Sequence, residues 1–361
     1  MKKVLFINAS LSSGGSERVM TQLANEFVKR EISVSMILIR KKERTYKINH
    51  NIELIELNYN NKNKYVMLIE RLIKLRKEIK RINPDTIISF MTDINIFTLI
   101  SSIGLSNKVI ISERNHPVFI GDGKTKKNIL TRIMTEICYS WSDTIVFQTE
   151  QAKSFMRKSF QKKGKVICNP VWINNISVES EPKKEIVAIG RLVEQKNFPM
   201  LIRVFANISK KYEDFKLKIY GKGKLELELK AMVEKLGIKD KVEFKGFVKD
   251  IPNEIRRAYL YVSTSNFEGI SNAMLEALAM GIPVVCTNCP VGGAELVIEN
   301  GINGYLVDVG NEEELEENIE KVLSDNMLRK KLSLEAIKVR EKLALENICD
   351  QWIKVLYEKI R

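Results

Sequence analysis

Residues 263–307 read STSNFEGISNAMLEALAMGIPVVCTNCPVGGAELVIENGINGYLV, and this stretch decides the fold of the chain. Its apolar runs are interrupted by two carboxylates eight positions apart, Glu268 and Glu276, and by the glycine pair Gly292-Gly293. A hydrophobic core requires neither of these features. The pattern predicts a strand, a loop and the start of a helix, which together hold a ligand at the carboxyl end of a parallel sheet.

The length and composition of the chain favour two globular domains. It has 361 residues, of which 44% are hydrophobic and 29% charged, and a chain of this length exceeds what one hydrophobic core usually organises. No window approaches ~18 uninterrupted apolar residues, so no transmembrane helix is expected. The apolar run after Lys2-Lys3 is too short for a signal peptide and is predicted to be a buried strand.

The basic residues are concentrated in the first half of the chain. Residues 1–170 carry 30 Lys and Arg against 15 Asp and Glu, whereas residues 171–361 carry 29 against 30. A basic half indicates a polyanionic partner, which is nucleic acid, an anionic membrane surface or a phosphate-bearing substrate. Nucleic acid is not expected as the partner, because no RRM, KH or helix-turn-helix signature is present and aromatic residues do not alternate with lysine and arginine.

A basic amphipathic helix is predicted over residues 62–82. Apolar residues at helical spacing form one face: Met67, Leu68, Leu72, Leu75 and Ile79. Lysine and arginine dominate the other face, which is either solvated or rests against anionic lipid head groups.

Two features of the first half are candidate site elements. The strand at 3–8 is followed by Gly14-Gly15 and by a helix for which Ser16 is the predicted N-cap, so Gly15 lies either in a plain turn or where backbone N–H groups approach a ligand. His116 follows the strand predicted at 108–113 and is placed where α/β sheets carry functional groups.

The second half begins a new α/β pattern. Its first strand ends at Gly190-Arg191, and Lys196 follows five residues later. Two cationic side chains at the end of a strand are poor core residues but good ligands for a diphosphate. The strand at 241–248 places Phe247 where it would line a flat base. The pair Cys286 and Cys289 lacks a second pair or a nearby histidine, so no metal site is expected.

These residues carry a resemblance to the GT-B glycosyltransferases of family 4. It rests on Gly190-Arg191-Leu192 with Lys196, on the E-x7-E spacing from Glu268 to Glu276, and on the Gly281-Ile-Pro-Val-Val run that follows. The resemblance implies an α/β chain of the GT-B fold, with two Rossmann-like domains facing across a cleft. The implied parts are an acceptor-binding domain at 1–168, a linker at 169–184, a nucleotide-sugar domain at 185–345 and a terminal helix at 346–361 that crosses back to the first domain.

The resemblance also implies roles for individual residues. Arg191, Lys196 and a helix N-terminus near Ser271 would bind the diphosphate, while Glu276 would accept both ribose hydroxyls and Glu268 a hydroxyl of the donor sugar. His116 and Glu268 would be catalytic. The donor-binding set comprises Gly15, Arg191, Lys196, Phe247, Glu268, Gly269, Ile270, Ser271, Asn272 and Glu276.

The implied activity is retaining transfer of a hexose or N-acetylhexosamine from a UDP-sugar to a lipid-linked or surface-polysaccharide acceptor. No cofactor and no divalent metal are expected, because the cations would neutralise the departing UDP. The expected location is the cytoplasm, peripheral on the inner face of a bacterial cell membrane. An alternative with the same fold is a UDP-N-acetylglucosamine 2-epimerase, which would leave the basic first half unexplained.

Overall fold

The computed structural model forms two compact units, and its description covers residues 2–12, 14–59, 63–114, 126–171 and 181–358. The N-terminal unit comprises Met1–Pro170 together with Leu345–Arg361, and the C-terminal unit comprises Val171–Ala344. His116 lies outside the described residues.

The N-terminal unit alternates strands and helices. Its elements are β1 (Lys3–Asn8), α1 (Gly15–Lys29), β2 (Ser33–Leu38), β3 (Glu53–Glu56), α2 (Lys64–Ile82), β4 (Thr86–Phe90), α3 (Thr92–Ser102), β5 (Lys108–Ser112), α4 (Lys126–Cys138), β6 (Thr144–Phe147), α5 (Glu150–Ser154), α6 (Lys158–Lys162), β7 (Gly164–Val166) and the terminal helix, which is numbered α14 (Leu345–Tyr357).

The strands of this unit form one parallel sheet in the order β3-β2-β1-β4-β5-β6-β7. β4 and β5 are buried along their whole length, which explains why apolar residues stand next to one another in both, at 87–88 and 109–111, rather than alternating with polar ones. The order reverses direction at β1, as in a doubly wound sheet, and such a sheet carries its ligands at the carboxyl edge.

The start of α1 differs from the prediction. The N-cap is Gly14 in an extended conformation, so Ser16 as the N-cap was wrong. The Ser16 hydroxyl instead donates to Glu17 Oε2 at 2.8 Å. A Cβ on Gly14 would lie 1.9 Å from that carboxylate oxygen, so this glycine makes room for the Glu17 side chain to fold back over the helix start.

Helix α14 completes the core of the N-terminal unit. Trp352 is fully buried, and its ring centroid lies 5.7 Å from that of Phe90 on β4. The Lys108 ammonium donates to the carbonyl oxygens of Val355 at 2.6 Å and Glu358 at 2.7 Å. These bonds satisfy carbonyls at the end of the helix that have no partner within it.

The C-terminal unit repeats the alternation. Its elements are β8 (Glu185–Ile189), α7 (Phe198–Lys211), β9 (Lys216–Tyr220), α8 (Glu226–Lys235), β10 (Val242–Gly246), α9 (Ile251–Ile255), β11 (Leu260–Ser263), α10 (Asn272–Ala279), β12 (Val284–Thr287), β13 (Gly304–Val307), α11 (Glu312–Ser324), α12 (Asn326–Ala336) and α13 (Val339–Lys342).

Its strands pair in parallel in the order β10-β9-β8-β11-β12-β13. The core lies on both faces of this sheet, and side chains such as Ile186, Leu260 and Val262 are completely buried. The two units are therefore both Rossmann-like, which confirms the predicted α/β fold class. Among the helices of the described residues, none is long and apolar enough to cross a membrane.

The packing of α14 predicts a large cost for removing Trp352. Trp352→Ala is expected to lower the free energy of unfolding by about 3–5 kcal/mol, because a large ring leaves a cavity in the core. Urea denaturation followed by circular dichroism measures this. Trp141→Ala is the matched control, since Trp141 is 47% exposed and its removal is expected to change stability by about 0.5 kcal/mol. Equal losses for the two variants would contradict the assignment of α14 to this core.

Candidate functional site

The candidate site lies at the carboxyl ends of β8 and β11. From β8 the chain runs to β9 on one side of the sheet and later to β11 on the other. The connections that leave β8 and β11 therefore diverge, and this switch point is where open α/β sheets leave room for a ligand. The predicted site residues of the C-terminal unit follow these strands, except Phe247, which follows β10.

Backbone contacts shape the loop after β8. A Cβ on Gly190 would lie 2.8 Å from Lys196 Cε, so the glycine lets the lysine side chain cross the end of the strand. Gly221 has a φ of +142°, and a Cβ there would be 1.8 Å from the Gly190 carbonyl oxygen. Glycine at 190 and 221 thus allows the loops after β8 and β9 to touch through their backbones.

The loops after β8 and β11 are joined by hydrogen bonds. The backbone N–H of Asn266 donates to the backbone carbonyl of Gln195 at 2.8 Å. The side-chain amide of Gln195 donates to the backbone carbonyl of Phe267 at 2.9 Å. The Thr264 hydroxyl is within 3.0 Å of the carbonyl oxygens of Lys196 and Asn197. The two sides of the switch point are therefore held as one structure.

An ion pair between Lys196 and Glu268 connects the same two loops. Lys196 Nζ donates to Glu268 Oε2, and the Ser265 hydroxyl donates to that oxygen at 2.9 Å. The two side chains are only 11% and 21% exposed. The Glu268 backbone is fixed as well, because its N–H donates to the Pro290 carbonyl at 2.8 Å and its carbonyl accepts from the Val291 N–H at 3.1 Å.

Arg191 lies beside this pair and is exposed to solvent. Its Nη2 is 3.5 Å from Gln195 Oε1, a long contact for a charged donor. The guanidinium is therefore positioned at the rim of the site, where it can bind an anion.

Helix α10 begins as predicted, with Ser271 as its N-cap. The Ser271 hydroxyl accepts from the Met274 N–H at 3.4 Å. The positive end of the helix dipole therefore lies at the loop that contains Gly269 and Ile270. Glu276 is on the second turn of this helix and is 6% exposed.

Gly293 closes the site from the loop after β12. A Cβ on Gly293 would lie 2.1 Å from the Gly269 carbonyl oxygen. A side chain at 293 would therefore push the Gly269 loop away from the start of α10. The approach of the two loops explains the glycine pair that the sequence analysis singled out.

The remaining predicted residues occupy separate positions. Phe247 follows β10 and is 46% exposed, which leaves its ring free for a flat partner. Gly15 is the first residue of α1 and follows β1 in the N-terminal unit. His116 lies outside the described residues, so its predicted role stays a prediction.

Sequence reasoning missed a buried polar network at the carboxyl ends of β4 and β5. The Glu113 carboxylate accepts from the Thr92 hydroxyl at 3.0 Å and from the Tyr139 hydroxyl at 2.6 Å. Burial raises the pKa of Tyr139 well above its ordinary value, so the phenol remains a donor. The sequence places Glu113 at the end of a predicted strand, but no spacing rule links it to Tyr139.

Arg114 extends this network. Its guanidinium carbon lies 3.9 Å from the centroid of the Phe90 ring, and Nη1 donates to Asn169 Oδ1. Complete burial lowers the pKa of Arg114 to about 9. Glu113 and Arg114 therefore anchor the chain in the N-terminal unit immediately before the segment that contains His116.

The two cysteines beneath the site are buried free thiols. Burial raises the pKa of Cys289 to about 11 and raises that of Cys286 further. Both thiols line a cavity of ≈ 20 Å³ together with Ser265 and Glu268. A buried, protonated thiol is a poor nucleophile.

Two family descriptions match consecutive parts of the chain. "Glycosyltransferase Family 4" matches residues 13–174, and "Glycosyl transferases group 1" matches residues 173–339. A Campylobacter jejuni protein is 30% identical over 99% of both chains, and its name is GalNAc-alpha-(1->4)-GalNAc-alpha-(1->3)-diNAcBac-PP-undecaprenol alpha-1,4-N-acetyl-D-galactosaminyltransferase. An uncharacterized glycosyltransferase of Haemophilus influenzae is 29% identical over 99% of this chain and 100% of its own.

Solved structures share the fold. S. aureus TarM, in complex with fondaparinux, alpha-GlcNAc-glycerol and UDP, has a TM-score of 0.83 at 17% identity and covers 99% of this chain and 100% of its own. Anabaena HepE in complex with UDP has a TM-score of 0.76 at 18% identity, with 99% of each chain covered.

Two Rossmann-like units, each matched by a glycosyltransferase family description, define a glycosyltransferase of the GT-B class. The chain belongs to the GT-B glycosyltransferases of family 4, as its sequence predicted. It is an enzyme that transfers a sugar. These matches support glycosyl transfer and do not support the 2-epimerase alternative.

The close approach at Gly293 predicts a measurable cost for a single methyl group. Gly293→Ala is expected to lower the free energy of unfolding by about 3 kcal/mol, because the added Cβ overlaps a backbone carbonyl that cannot rotate away. Gly237→Ala is the control: its Cβ would meet nothing within 4 Å, and its φ of +69° alone costs about 1 kcal/mol. Denaturant titration of both variants checks this, and equal losses would contradict it.

Proposed function

We propose that the chain is a retaining glycosyltransferase that moves a hexose or N-acetylhexosamine from a UDP-sugar to a lipid-linked or surface-polysaccharide acceptor. The observation that carries the proposal is the grouping around the switch point of β8 and β11. Arg191, Lys196, Glu268 and the N-terminus of α10 follow these two strands, and Glu276 is on the helix that begins there.

The positive groups of the site suit a diphosphate. Arg191 offers a planar fork at the rim, Lys196 offers a point charge within the site, and α10 offers its dipole. Departure of UDP leaves negative charge on its terminal phosphate, which these groups stabilise in the transition state. This arrangement performs the task that a divalent metal performs in other transferases, so metal independence is part of the proposal.

Donor binding is proposed to replace the ion pair between Lys196 and Glu268 by contacts of each side chain with the donor. When a diphosphate arrives, its oxygens compete with Glu268 for the Lys196 ammonium. Glu268 then becomes available to accept a hydrogen bond from a hydroxyl of the donor sugar. Because Ser265 also donates to Glu268, the carboxylate keeps one partner during the exchange.

The nucleoside occupies the other side of the site in this proposal. Glu276 accepts hydrogen bonds from the two ribose hydroxyls, and the exposed ring of Phe247 packs against the base. UDP is supported as the nucleotide by the UDP complexes of TarM and HepE, which share the fold.

The configuration at the anomeric carbon is retained because the acceptor hydroxyl attacks the same face of the sugar that UDP leaves. The acceptor hydroxyl forms the new bond to the anomeric carbon while the bond to the phosphate oxygen breaks, and a phosphate oxygen takes the hydroxyl proton. No protein nucleophile is required. Glu268, which donor binding brings to the sugar, holds a hydroxyl, and His116 is proposed to contact the sugar near the reacting carbon.

The acceptor is proposed from the relatives. Two Campylobacter jejuni transferases are named for undecaprenol-linked saccharides, and an S. aureus relative is named for poly(ribitol-phosphate). A lipid-linked acceptor requires the enzyme to work at a membrane surface. We therefore place the enzyme on the inner face of the cell membrane, where the basic N-terminal unit meets anionic lipid.

Removing one of the cations tests the site. Lys196→Met is expected to lower kcat for UDP release by about 10²–10³-fold, because a charge that stabilises the leaving group is lost. Glu276→Ala is expected to raise the KM for the donor instead. Both are measured with a panel of UDP-sugars and a lipid-linked acceptor.

The control is Lys224→Met, which removes an exposed lysine paired with Glu194 in the same unit. It is expected to retain wild-type kinetics. A Lys196→Met enzyme with less than a threefold loss of kcat would sink the proposed role of this residue.

The stereochemical and metal predictions have their own readouts. Proton NMR of the product is expected to show an α linkage from an α-linked donor, and the rate is expected to be unchanged by excess EDTA. A β-linked product would refute retention. A rate that EDTA abolishes and Mg²⁺ restores would refute metal independence.

A further inference from the structure

Helices α2, α3 and α4 cover one side of the N-terminal sheet. They connect β3 to β4, β4 to β5 and β5 to β6, so all three crossovers proceed in the same direction across the sheet. Right-handed crossovers in one direction place their helices on the same side. α3 packs against both α2 and α4, whereas α1 packs against α14.

This side exposes large apolar residues in two rows. Five belong to α2 and five belong to α4 and the turn that follows it. We call these ten residues the apolar face: Tyr65, Val66, Leu68, Ile69, Ile73, Ile129, Leu130, Ile133, Ile137 and Trp141. Each is at least 43% exposed.

The rows are regular. Tyr65, Ile69 and Ile73 are four positions apart, so they form a stripe along α2. Residues 129, 133, 137 and 141 repeat the same spacing along α4 and its continuation. Leu68 belongs to the apolar face that the sequence predicts for this helix, and whereas Leu75 and Ile79 of that face are buried, Leu68 is 43% exposed. The helix therefore has more apolar surface than the sheet beneath it covers.

The surface between the rows is also apolar. Ile96, Phe97 and Ile100 of α3 are half-buried, and Ile103, which follows this helix, is 50% exposed. Since α3 packs against both α2 and α4, exposed or half-buried apolar residues occur on three neighbouring helices. Contiguous exposed apolar surface of this extent marks a site that contacts a partner or a membrane.

The charge around the apolar face is positive. α2 carries seven Lys and Arg against two Glu, and α4 carries three against one. That one acid, Glu136, is 3.4 Å from Arg157, so its charge is compensated. Lys77, Lys80 and Arg132 are exposed. Apolar side chains bordered by lysine and arginine suit the boundary between acyl chains and anionic head groups.

We propose that the apolar face docks onto an anionic lipid bilayer. The side chains of the apolar face enter the boundary between the acyl chains and the head groups. The exposed lysines and arginines around it contact lipid phosphates. The charge favours this occupant over a second copy of the chain, because a symmetric dimer would oppose two positive surfaces. The inference deepens the proposed function and rests on it only for the lipid-linked acceptor.

Vesicle binding by the full chain tests the proposal. The wild type is expected to co-sediment with vesicles of phosphatidylglycerol and phosphatidylcholine, and much less with phosphatidylcholine alone or in 1 M salt. Ile69→Asp combined with Ile133→Asp is expected to reduce the partition coefficient at least tenfold.

Leu227→Asp combined with Leu334→Asp is the matched control. These leucines are 82% and 70% exposed on the C-terminal unit, compared with 58% and 51% for Ile69 and Ile133, so the control adds the same charges at sites that are at least as exposed. It is expected to bind vesicles as the wild type does. Circular dichroism melts of both double variants verify that each is folded.

Trp141 supplies an intrinsic probe of insertion. Its fluorescence is expected to shift to shorter wavelength when anionic vesicles are added, because the indole leaves water. Trp141→Phe is expected to remove that shift. An unchanged spectrum in the wild type, despite co-sedimentation, would overturn insertion by this face.

Two further outcomes decide against the proposal. Equal vesicle binding by the wild type and the Ile69→Asp, Ile133→Asp variant would place the membrane contact elsewhere. A wild-type dimer in light scattering that this variant dissociates, without vesicle binding by either, would assign the face to a second copy.

Activity separates this inference from the proposed function. With an acceptor of short lipid chain dissolved in water, the Ile69→Asp, Ile133→Asp variant is expected to transfer sugar at the wild-type rate. A wild type that binds vesicles but transfers no sugar from any UDP-sugar would refute the proposed function alone. A variant that loses vesicle binding and keeps transfer to the soluble acceptor would confirm the docking surface.

Discussion

The ion pair between Lys196 and Glu268 is the interaction on which the rest of the candidate site depends. It joins the loop after β8 to the loop after β11, across the switch point of the sheet. Both charges are largely removed from water, so each requires the other until a ligand replaces one of them. The candidate site therefore holds the Lys196 ammonium next to the Glu268 carboxylate, an arrangement suited to a ligand that carries both phosphate and hydroxyl groups.

Glycines make this arrangement sterically possible. Gly190 leaves room for the Lys196 side chain, and Gly293 lets the loop after β12 reach the Gly269 carbonyl. The two sides of the sheet in the N-terminal unit differ in how they are covered. One side of its sheet is covered by α1 and α14, while the helices on the other side retain exposed apolar and basic residues.

The sequence predicted the buried strands well, because parallel strands covered on both faces are continuous apolar runs. The family resemblance also implied a helix N-terminus near Ser271, and α10 begins there with Ser271 as its N-cap. The sequence-based prediction was wrong about Ser16, because Gly14 takes the cap position. The apolar face that the sequence predicted for residues 62–82 includes Leu68, which is 43% exposed. Periodicity marks the apolar positions of a helix but does not tell which of them the neighbouring elements cover.

The sequence by itself determined the fold class and the family, and it selected the candidate residues for donor binding, because these depend on local patterns such as the E-x7-E spacing and the Gly-Arg motif. Only the tertiary structure decided which of those residues touch. It paired Lys196 with Glu268, which are 72 positions apart, linked Glu113 to Tyr139, and brought the apolar rows of α2 and α4 to one side of a sheet. The physical reason is that contacts between distant segments follow from strand order and crossover direction, and no local window of sequence contains either.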